Sequence, residues 1–580
     1  MIGECFPPEE ASRWRRVRRY AVPGWMIEQA AERRLAGDWR GACAVAGVDV
    51  AVDLAEVAAT HGRTVAGSLE EDLAHLVPDL LRWHLPRTLG GQATISTGRA
   101  VVLARYGWRG GGPCLYVVTP RRTEGPQRIT LRFADAEPLS EGRWKAEPAI
   151  IWLTARHLWD VRHVSELLRR CGGGHRTPFF HTDGTPLTPA ELPTRDPAHD
   201  SARYPGRDDL AARAEWVAML HERGEVEEAL AAVGIEVEPV DFSMANSMRF
   251  LRESPLALAR LVPELRAFTE AVRADRVHVP LSWSAVMEFG PGASLRGRIV
   301  RLRRDTEGIT RLPEACRRRL PDLDLLREAK LTPGDLHPLV RTALFPTHAD
   351  SAHADSAHAD HARADHARAD HARAGVGWPG PAEAWPAVRV RCRGEWHEVA
   401  VRDGVLRMPH SDEEQRREQA MAAFGGPVSG CFAVRRAWTG GGEWLPKGLR
   451  AQRKEPFAHA QHGDTPGLLR LLDAGFDPRV RDGQRRTLMH VLPLLPPLDH
   501  EILLPRLLAA GLDVDARDAE GRTPLHEAVC NGGSPALVRA LLAAGARPAL
   551  LTSGEESLRD FLIDRWKRHD LLFLLEESPK

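Results

Sequence analysis

Three side chains, His157, Asp160 and His163, form the strongest local candidate for acid–base chemistry in this 580-residue sequence. An imidazole beside a carboxylate can transfer a proton near neutral pH, where histidine titrates. On a helix, His157 and Asp160 share one face, and His163 lies a further three residues along. The nearby Trp152 and Trp159 favour a simpler interpretation, in which a partly exposed helix is anchored in a core by its tryptophans. We therefore assign no catalytic residue here.

The sequence contains none of the motifs that mark common enzyme classes. It has no G-x-S-x-G nucleophile elbow, no H-E-x-x-H zinc helix and no G-x-G-x-x-G nucleotide loop. His221, His397 and His526 each precede a glutamate, but each lacks the second histidine of a zinc helix. The glycines at 440–442 precede Lys447 without the Gly-Lys-Ser/Thr sequence of a phosphate loop. We expect that the protein is not an enzyme, and neither a cofactor nor a small-molecule ligand is inferred.

The cysteines are dispersed along the chain. None of them forms a Cys-x-x-Cys pair or is joined by histidines at zinc-finger spacing. Single thiols are typical of a reducing compartment. The sequence does not begin with the apolar core of a signal peptide. No apolar run approaches the roughly 18 residues that are needed to span a bilayer. The sequence therefore predicts a cytoplasmic protein with no metal site and no membrane contact. The eight positions are Cys5, Cys43, Cys114, Cys171, Cys316, Cys392, Cys431 and Cys530.

The charge balance excludes a global affinity for nucleic acid. The chain has 79 basic and 79 acidic residues and is formally neutral. One basic cluster runs from Arg13 to Arg19 around Trp14, where arginine beside an aromatic ring could contact phosphates or bases. Because a solvated helix face explains the same residues, nucleic-acid binding through this cluster is only a third hypothesis. The excess of arginine over lysine, with much alanine and glycine, is typical of a GC-rich bacterial genome.

The C-terminal fifth of the chain repeats a helical pair with a period of about 34 residues. The segment at 507–511, Leu-Leu-Ala-Ala-Gly, recurs at 541–545. Thr523 suits a helix N-cap, and Pro524 suits the first helical position, where its missing N–H costs nothing. Gly545 follows the second helix, where a left-handed residue is needed. A unit of this size cannot bury its apolar face alone, so stacked copies share a core.

This segment resembles an ankyrin repeat. The residues that fill the family pattern are Asp518, Gly521, Thr523, Pro524, Leu525, His526, Ala528 and Gly545, with Gly511 closing the preceding copy. The resemblance implies an α-helical solenoid of four units, at about 455–480, 481–515, 516–549 and 550–576, with prolines interrupting the second. It also implies that these pattern residues hold the fold, while turn tips and inner helices bind another protein. The exposed candidates are Arg485, Arg486, Glu520, Arg522, Glu527 and Asn531.

The rest of the sequence predicts an α+β multidomain protein whose N-terminal body is duplicated. Three segments recur in the same order, at 33–50 and 220–237, at 73–80 and 258–265, and at 187–192 and 331–336. Strands are predicted at 100–104, 114–118 and 129–133 in the first copy and at 277–281, 285–289 and 298–302 in the second. A helix is predicted at 150–170. The expected domains are copy A at 1–205, copy B at 206–345, a linker at 346–384, a small α+β module at 385–450 and the ankyrin repeats at 451–580.

The linker and the module have contrasting patterns. The linker repeats a five-residue His/Ala/Asp pattern with six histidines, which could bind a transition metal but offers no fixed geometry, so a disordered spacer is favoured. In the module, strands are predicted at 388–392, 396–401 and 431–438. Ser411 with Glu414 predicts a capping box at the start of a helix.

Two functions follow from these predictions. The first is an adaptor that binds another protein through the ankyrin repeats. The alternative is an enzyme or ligand sensor in the duplicated body, regulated by the repeats. A deep polar pocket of His, Asp and Arg between the two copies would favour the alternative, and a filled interface would favour the adaptor.

Overall fold

The computed structural model has a mixed α/β fold with 50% helix and 15% strand. It describes residues 8–90, 93–107, 112–135, 149–193, 208–238, 244–282, 285–290, 295–301, 310–348, 387–402, 405–440, 444–552 and 557–577. The chain divides into two compact units. Unit 1 comprises residues 1–119 and 128–374, and unit 2 comprises residues 120–127 and 375–580. Most of the predicted linker, from residue 349 onward, lies outside the described residues.

Two five-stranded sheets form the centre of unit 1. The first has the order β1-β6-β5-β4-β7 and the second β12-β9-β10-β11-β8. The strands are β1 Val48–Ala51, β2 Arg87–Thr88, β3 Thr94–Ile95, β4 Ala100–Arg105, β5 Cys114–Val118, β6 Ile129–Ala134, β7 Ile150–Ile151, β8 Ile235–Glu238, β9 Val277–Pro280, β10 Ala285–Phe289, β11 Leu295–Arg301 and β12 Thr310–Arg311, with β2 and β3 forming a separate pair. All six strands predicted in the body are therefore present.

The two sheets have the same topology. Numbered along the chain within each sheet, the strands lie in the order 1-4-3-2-5 in both. The first and last pairs of neighbours are parallel, and the two inner pairs are antiparallel, in each sheet. A helix hairpin precedes the first strand of each sheet, and it turns through a left-handed glycine, Gly37 (φ 77°) or Gly224 (φ 83°).

Helices surround these sheets in the described part of unit 1. They span Pro8–Tyr20, Gly24–Leu35, Trp39–Val45, Leu54–His61, Arg63–Ala74, Pro78–His84, Leu167–Arg170, Leu210–Glu222, Val226–Ala232, Met244–Glu253, Leu258–Val272, Glu314–Arg317, Pro321–Arg327 and Pro338–Leu344, with 3-10 turns at Arg156–Leu158, Val161–Glu166 and Pro333–Asp335.

The helix predicted at 150–170 is wrong over most of its length. The segment begins as β7, continues through two 3-10 turns and becomes α-helical only at Leu167–Arg170. Its backbone groups are bonded elsewhere, because the Trp152 N–H donates to the Val102 carbonyl (2.8 Å) and the Val77 N–H donates to the Trp159 carbonyl (2.8 Å). Pairing with β4 and with this neighbouring segment therefore overrides the local helical pattern.

Unit 2 begins with the small module. A three-stranded antiparallel sheet contains β13 Val388–Cys392, β14 Glu395–Arg402 and β15 Val405–Arg407. The helix Asp412–Ala423 starts with the predicted capping box of Ser411 and Glu414. The strand predicted at 431–438 is instead part of the helix Gly430–Gly440. Cys431, Val434 and Trp438 are buried at helical spacing, and a short apolar run of this kind fits either period.

Helical pairs follow the module. They comprise α-helices at Lys447–Arg453, Glu455–Gln461, Thr465–Asp473, His500–Ala509, Pro524–Cys530, Pro535–Ala543, Leu558–Asp560 and Leu574–Glu577, 3-10 turns at Leu488–Leu494, Pro497–Asp499, Pro548–Leu550 and His569–Leu571, and a π-helical turn at Phe561–Arg565. The second repeat has a 3-10 helix where the third has the helix Pro524–Cys530, as its prolines predict. One hydrophobic core runs from Val390 in the module to Leu574 near the end of the chain.

Candidate functional site

The pattern residues of the third repeat build a rigid turn and helix start. The Thr523 hydroxyl accepts a hydrogen bond from the His526 N–H (3.3 Å), and Pro524 is the first residue of the helix. The Asp518 carboxylate accepts hydrogen bonds from the backbone N–H groups of Glu520 (3.0 Å) and Arg522 (2.8 Å). Residues of the ankyrin pattern therefore have the capping and turn-closing contacts that the sequence predicts.

Histidines lie at the junction between the ankyrin repeat and the predicted repeat before it, at 481–515. His490 is buried in the second repeat, where its Nδ1 accepts a hydrogen bond from the Thr487 N–H (3.1 Å). Its Nε2 donates to the carbonyl of Arg522 in the turn of the third repeat (3.1 Å). His526 occupies the same place in the third repeat and packs edge-on against Phe561, with 5.4 Å between ring centroids. These contacts fix the stacking of adjacent turns.

Two of the predicted binding residues are buried, contrary to expectation. Arg486 is 4% exposed and pairs with Asp482 (2.8 Å). Glu527 is 2% exposed, accepts a hydrogen bond from the Asn531 amide (2.6 Å) and pairs with Arg522 (3.1 Å). The pattern Asp-x-x-x-Arg recurs at 482–486 and 518–522, and its aspartate and arginine pair inside each turn. This pattern could have predicted from the sequence that Arg486 is not free to bind a partner.

Two of the four remaining candidates lie on an exposed surface at the turns. Arg485 and Glu520 are exposed, whereas Arg522 and Asn531 are half-buried. Exposed Gln484 and Arg517 lie beside them, and the Ala519 N–H donates to the Gln484 carbonyl (2.8 Å), which joins the two turns. We name Gln484, Arg485, Arg517 and Glu520 the tip surface.

Unit 1 contains a cavity of about 280 Å³ whose lining comes from both sequence halves of the body. Its only carboxylate among the described residues is Glu314, and it includes the neutral polar or apolar side chains of Ser96, Trp14 and Trp152. The basic residues that line it are Arg18, Arg99, Arg260, Arg311, Arg317, Arg318, Arg319, His84 and His157.

Some of these arginines are held by partners around the cavity. Arg18 makes a two-pronged ion pair with buried Asp322 (2.6 and 2.8 Å). Arg260 donates to the backbone carbonyls of Arg170 (2.7 Å) and Arg318 (2.9 Å). Arg318 pairs with Glu10 and with Glu314. These contacts hold the guanidinium groups in place.

Other basic groups experience desolvation and repulsion. Burial lowers the pKa of Arg317 below its usual value, and burial followed by the charge of Arg311 lowers that of Arg99. His157 is 2% exposed, and neither of its ring nitrogens has a hydrogen-bond partner. Burial, with the charge of Arg170, holds the pKa of His157 well below its usual value, so this ring is neutral. Arginines therefore dominate the charged side chains of the lining, and the neutral His157 ring is a potential hydrogen-bonding group.

The predicted acid–base group is not assembled as a catalytic pair. Asp160 is fully buried and accepts from the guanidinium groups of Arg156 (2.8 Å) and Arg162 (2.8 Å). Although burial raises the pKa of Asp160, the bonds from these two arginines hold it below its usual value. His163 instead contacts Glu166 (2.7 Å), and its Nε2 lies 4.0 Å from Asp160. The three residues support a structural role.

The basic cluster from Arg13 to Arg19 is largely committed within unit 1. Trp14 and Arg18 are buried, and the Arg18 guanidinium lies 4.4 Å from the centroid of the Trp83 ring. Arg13 pairs with Glu9 (3.0 Å), and only Arg15 and Arg19 of the cluster are exposed. Among the described residues, no helix has the length and apolar character required to cross a membrane.

The module brings together four side chains that the sequence left unassigned. Cys392, His397, His410 and Cys431 present ligand atoms that all lie within 4.8 Å of one another. Their spacing along the chain matches none of the patterns considered above, which is why the sequence predicted no metal site.

Comparisons with known proteins agree with the third repeat. A family model described as the ankyrin repeat matches residues 520–553. No curated protein matches the chain. The chain therefore carries an ankyrin repeat near its C-terminus, and this repeat suggests protein–protein interaction in general.

Proposed function

We propose that the protein is an adaptor that binds another protein through its ankyrin repeats, with the tip surface as the main contact. The observation that carries this proposal is the display of exposed side chains on turns that the Asp482 and Asp518 carboxylates close by hydrogen bonds to the backbone. Arg485 and Glu520 project from turns held by Asp482 and Asp518. A preorganised surface loses little conformational entropy on binding, so its contacts contribute more of their energy to affinity.

The charges of the tip surface indicate the kind of partner. Arg485 and Arg517 are basic, Glu520 is acidic and Gln484 is neutral. A surface of mixed sign fits a folded protein with complementary charges better than a polyanion. Rim charges of this kind chiefly set association rate and specificity, so reversing two of them should weaken binding and change its salt dependence.

Affinity capture with matched variants tests the adaptor proposal. The full chain, the double variant Arg485→Glu/Arg517→Glu and the control Arg559→Glu, which changes an exposed arginine in the last repeat, are used as baits in native extract. We expect a protein retained by the wild type and the control, with at least about tenfold less retained by the double variant, or about 1.4 kcal/mol. Equal retention by all three baits, with unchanged melting, would contradict the tip surface as the contact.

We also propose that the body of unit 1 is built from two copies of one α+β fold. The shared strand order, the shared strand directions and the equivalent glycines Gly37 and Gly224 support this proposal. Gly47 and Gly234, which end the second helix of each hairpin, are also left-handed (φ 68° and 79°) and have the same separation in sequence. An experimental structure with a different strand order in either sheet would refute it.

A second candidate function is recognition of an anionic ligand in the cavity of unit 1. Seven arginines and one glutamate line this cavity, and the charge of Arg311 helps burial to lower the pKa of Arg99, so a bound anion would relieve repulsion among the guanidinium groups. The lining offers no pair of carboxylates for acid–base catalysis, which favours binding over turnover. Arginine forks suit phosphate or carboxylate groups because they can donate two parallel hydrogen bonds.

Thermal shift assays at low ionic strength test this candidate. Inorganic phosphate, a nucleoside triphosphate and citrate are the probes, and the variants are Arg311→Met, Arg317→Met and the control Arg273→Met, which is outside the lining. We expect an anion that raises the melting temperature of the wild type and the control but raises that of the cavity variants less. Absence of a shift with every probe at millimolar concentration would count against a ligand site for these anion classes.

A further inference from the structure

Four metal-binding side chains converge in the small module. Cys392 ends β13, His397 lies on β14, His410 lies just before the N-cap of the helix Asp412–Ala423, and Cys431 lies in the first turn of the helix Gly430–Gly440. Both cysteines are buried and both histidines are half-buried. We infer that Cys392, His397, His410 and Cys431 bind one zinc ion that holds the strands and helices of the module together.

Three of the six distances between the ligand atoms lie near the edges of a zinc tetrahedron. With zinc–sulfur bonds of about 2.3 Å and zinc–nitrogen bonds of about 2.0–2.1 Å, a tetrahedral site has edges of about 3.6 Å from S to N and about 3.3 Å from N to N. The Cys392 Sγ lies 3.6 Å from His410 Nε2, and the Cys431 Sγ lies 3.6 Å from His397 Nδ1. The two nitrogens, His397 Nδ1 and His410 Nε2, are 3.1 Å apart. A single ion at the centre satisfies all three distances.

Hydrogen bonding explains the cluster less well. Each imidazole nitrogen has either one proton or one lone pair in the plane of its ring. His410 Nε2 nevertheless faces both Cys392 and His397, and His397 Nδ1 faces both Cys431 and His410. One proton or lone pair can be aimed at only one of two such partners, whereas a central cation accepts all four lone pairs.

The backbone is shaped to bring the ligands together. Gly430 has φ 60°, and a Cβ at this position would lie 2.7 Å from the Cys392 Sγ and 2.8 Å from its Cα. The absence of a side chain at Gly430 therefore lets the helix that carries Cys431 approach β13. The Arg393-Gly394 turn, with φ 53° and 92°, closes the hairpin between Cys392 and His397.

A neighbouring carboxylate lies close to one of the ligands. The His410 Nδ1 lies 3.7 Å from Glu414, on the opposite side of the ring from the cluster. Glu414 is fixed by the capping box, where it accepts from the Ser411 N–H (2.9 Å). Metal-bound histidines commonly have a carboxylate on their second nitrogen, which fixes ring orientation and increases ligand basicity. The Phe432 ring packs against His410 with 4.6 Å between centroids.

The ligand set identifies the metal and the role. Two thiolates and two imidazoles in a tetrahedron are typical of zinc, and four protein ligands leave no position for a substrate. Binding releases one proton from each thiol, whereas the neutral histidines coordinate through a lone pair. The role is structural, because a sheet of three short strands has little apolar surface of its own to bury.

Metal analysis and cobalt spectroscopy test the inference on the full chain, purified with a tag free of histidine. We expect one zinc per chain, and a cobalt-substituted protein with intense visible bands and a thiolate-to-cobalt charge-transfer band. The variants Cys392→Ser and Cys431→Ser should lose the bound zinc and the charge-transfer band. The control Cys530→Ser, which changes a buried thiol in the third repeat, should retain the zinc and the band.

Two further measurements separate the other outcomes. Histidines of the predicted linker could bind cobalt without thiolates, so cobalt bound without the charge-transfer band would overturn the inference. In case the cysteine variants fail to fold, alkylation of the wild type provides an independent readout. Cys392 and Cys431 should be protected from alkylation until a chelator is added. Equal labelling with and without chelator, or a disulfide between them in the purified chain, would also overturn it.

Discussion

Protonation of His490 should destabilise the C-terminal helical region around the ankyrin repeat at mildly acidic pH. Burial lowers the pKa of His490 from its usual 6.5 to about 4. In the neutral form, Nδ1 accepts from the Thr487 N–H and Nε2 donates to the Arg522 carbonyl. A proton on Nδ1 would remove the acceptor and place a charge in the buried junction between two repeats. The folded state should therefore resist protonation until the pH falls far below the usual histidine value.

The size of the effect follows from the two pKa values. Between pH 6.5 and 4 the unfolded chain binds a proton at His490 that the folded chain does not. The contribution of neutral His490 to the free energy of unfolding is therefore complete above pH 6.5 and is lost as the pH falls towards 4. With a folded pKa of about 4, the free energy of unfolding should decrease by about 2 kcal/mol between pH 7 and pH 5. A loss of this size is a large part of the stability of an ordinary domain.

The variant His490→Asn isolates this contribution. Its side-chain oxygen can replace Nδ1 as the acceptor for Thr487, but the hydrogen bond to Arg522 is lost, at a cost of about 1 kcal/mol. The variant should therefore be less stable than the wild type at pH 7 and should match or exceed it at pH 5. The exposed His569, changed to Asn, is the matched control and should follow the wild type at both pH values.

Hydrogen exchange measured by mass spectrometry is the appropriate assay, because it reports peptides from residues 481–530 separately from unit 1. Comparing the variant with the wild type at one pH removes the intrinsic pH dependence of exchange. The difference in opening free energy between the two proteins should change by about 2 kcal/mol from pH 7 to pH 5. If the difference is the same at both pH values, His490 is not a buried neutral link between repeats and the reasoning is wrong.

Three further substitutions test particular positions, each by thermal or urea unfolding except where stated. Gly545→Val places a β-branched residue at φ 97°, where its Cβ meets nothing within 4 Å. The expected loss of about 1–3 kcal/mol in the free energy of unfolding is therefore due to backbone strain alone. The control Gly483→Val, at a position without positive φ, should cost less. Arg18→Met leaves the buried Asp322 without its cation and should lower the free energy of unfolding by about 3–5 kcal/mol. The double variant Arg18→Met/Asp322→Leu should recover most of this loss. A double variant as unstable as the single one would contradict the prediction. Gly430→Ala should push Cys431 away from Cys392 and weaken cobalt binding, and unchanged cobalt affinity would contradict the close approach of the two segments.

Local patterns in the sequence were sufficient where neighbouring residues determine the structure. Thr523 and Pro524 start a helix, and Ser411 with Glu414 forms a capping box, because each feature depends on backbone groups within a few residues. Cys431 lies instead in a run whose apolar residues fit a strand as well as a helix. Only its burial against the rest of the module decides between the two.

The metal cluster could not be found from familiar spacings. Its ligands are separated by 4, 12 and 20 intervening residues, in the order Cys-His-His-Cys, and only Cys392 and His397 belong to one hairpin. The other two ligands arrive through the loop before one helix and the start of the next. Since no short motif contains more than two ligands, the three-dimensional path of the module is needed to bring them together.

The neutral composition of the chain also hid a local imbalance of charge. Arginines balanced by acids suggested solvated surfaces, yet several pairs in unit 1 are buried, including Arg18 with Asp322 and Arg327 with Glu222 (2.7 Å). In these pairs a carboxylate compensates the desolvation cost of a buried guanidinium. The cavity lining contains seven arginines and one glutamate, although Arg18, Arg318 and Arg319 also pair with Asp322, Glu10 and Asp324 outside that lining. Positive charge brought together around one cavity is costly unless something compensates it, and the number of arginines in this lining is the reason to test anionic ligands in unit 1.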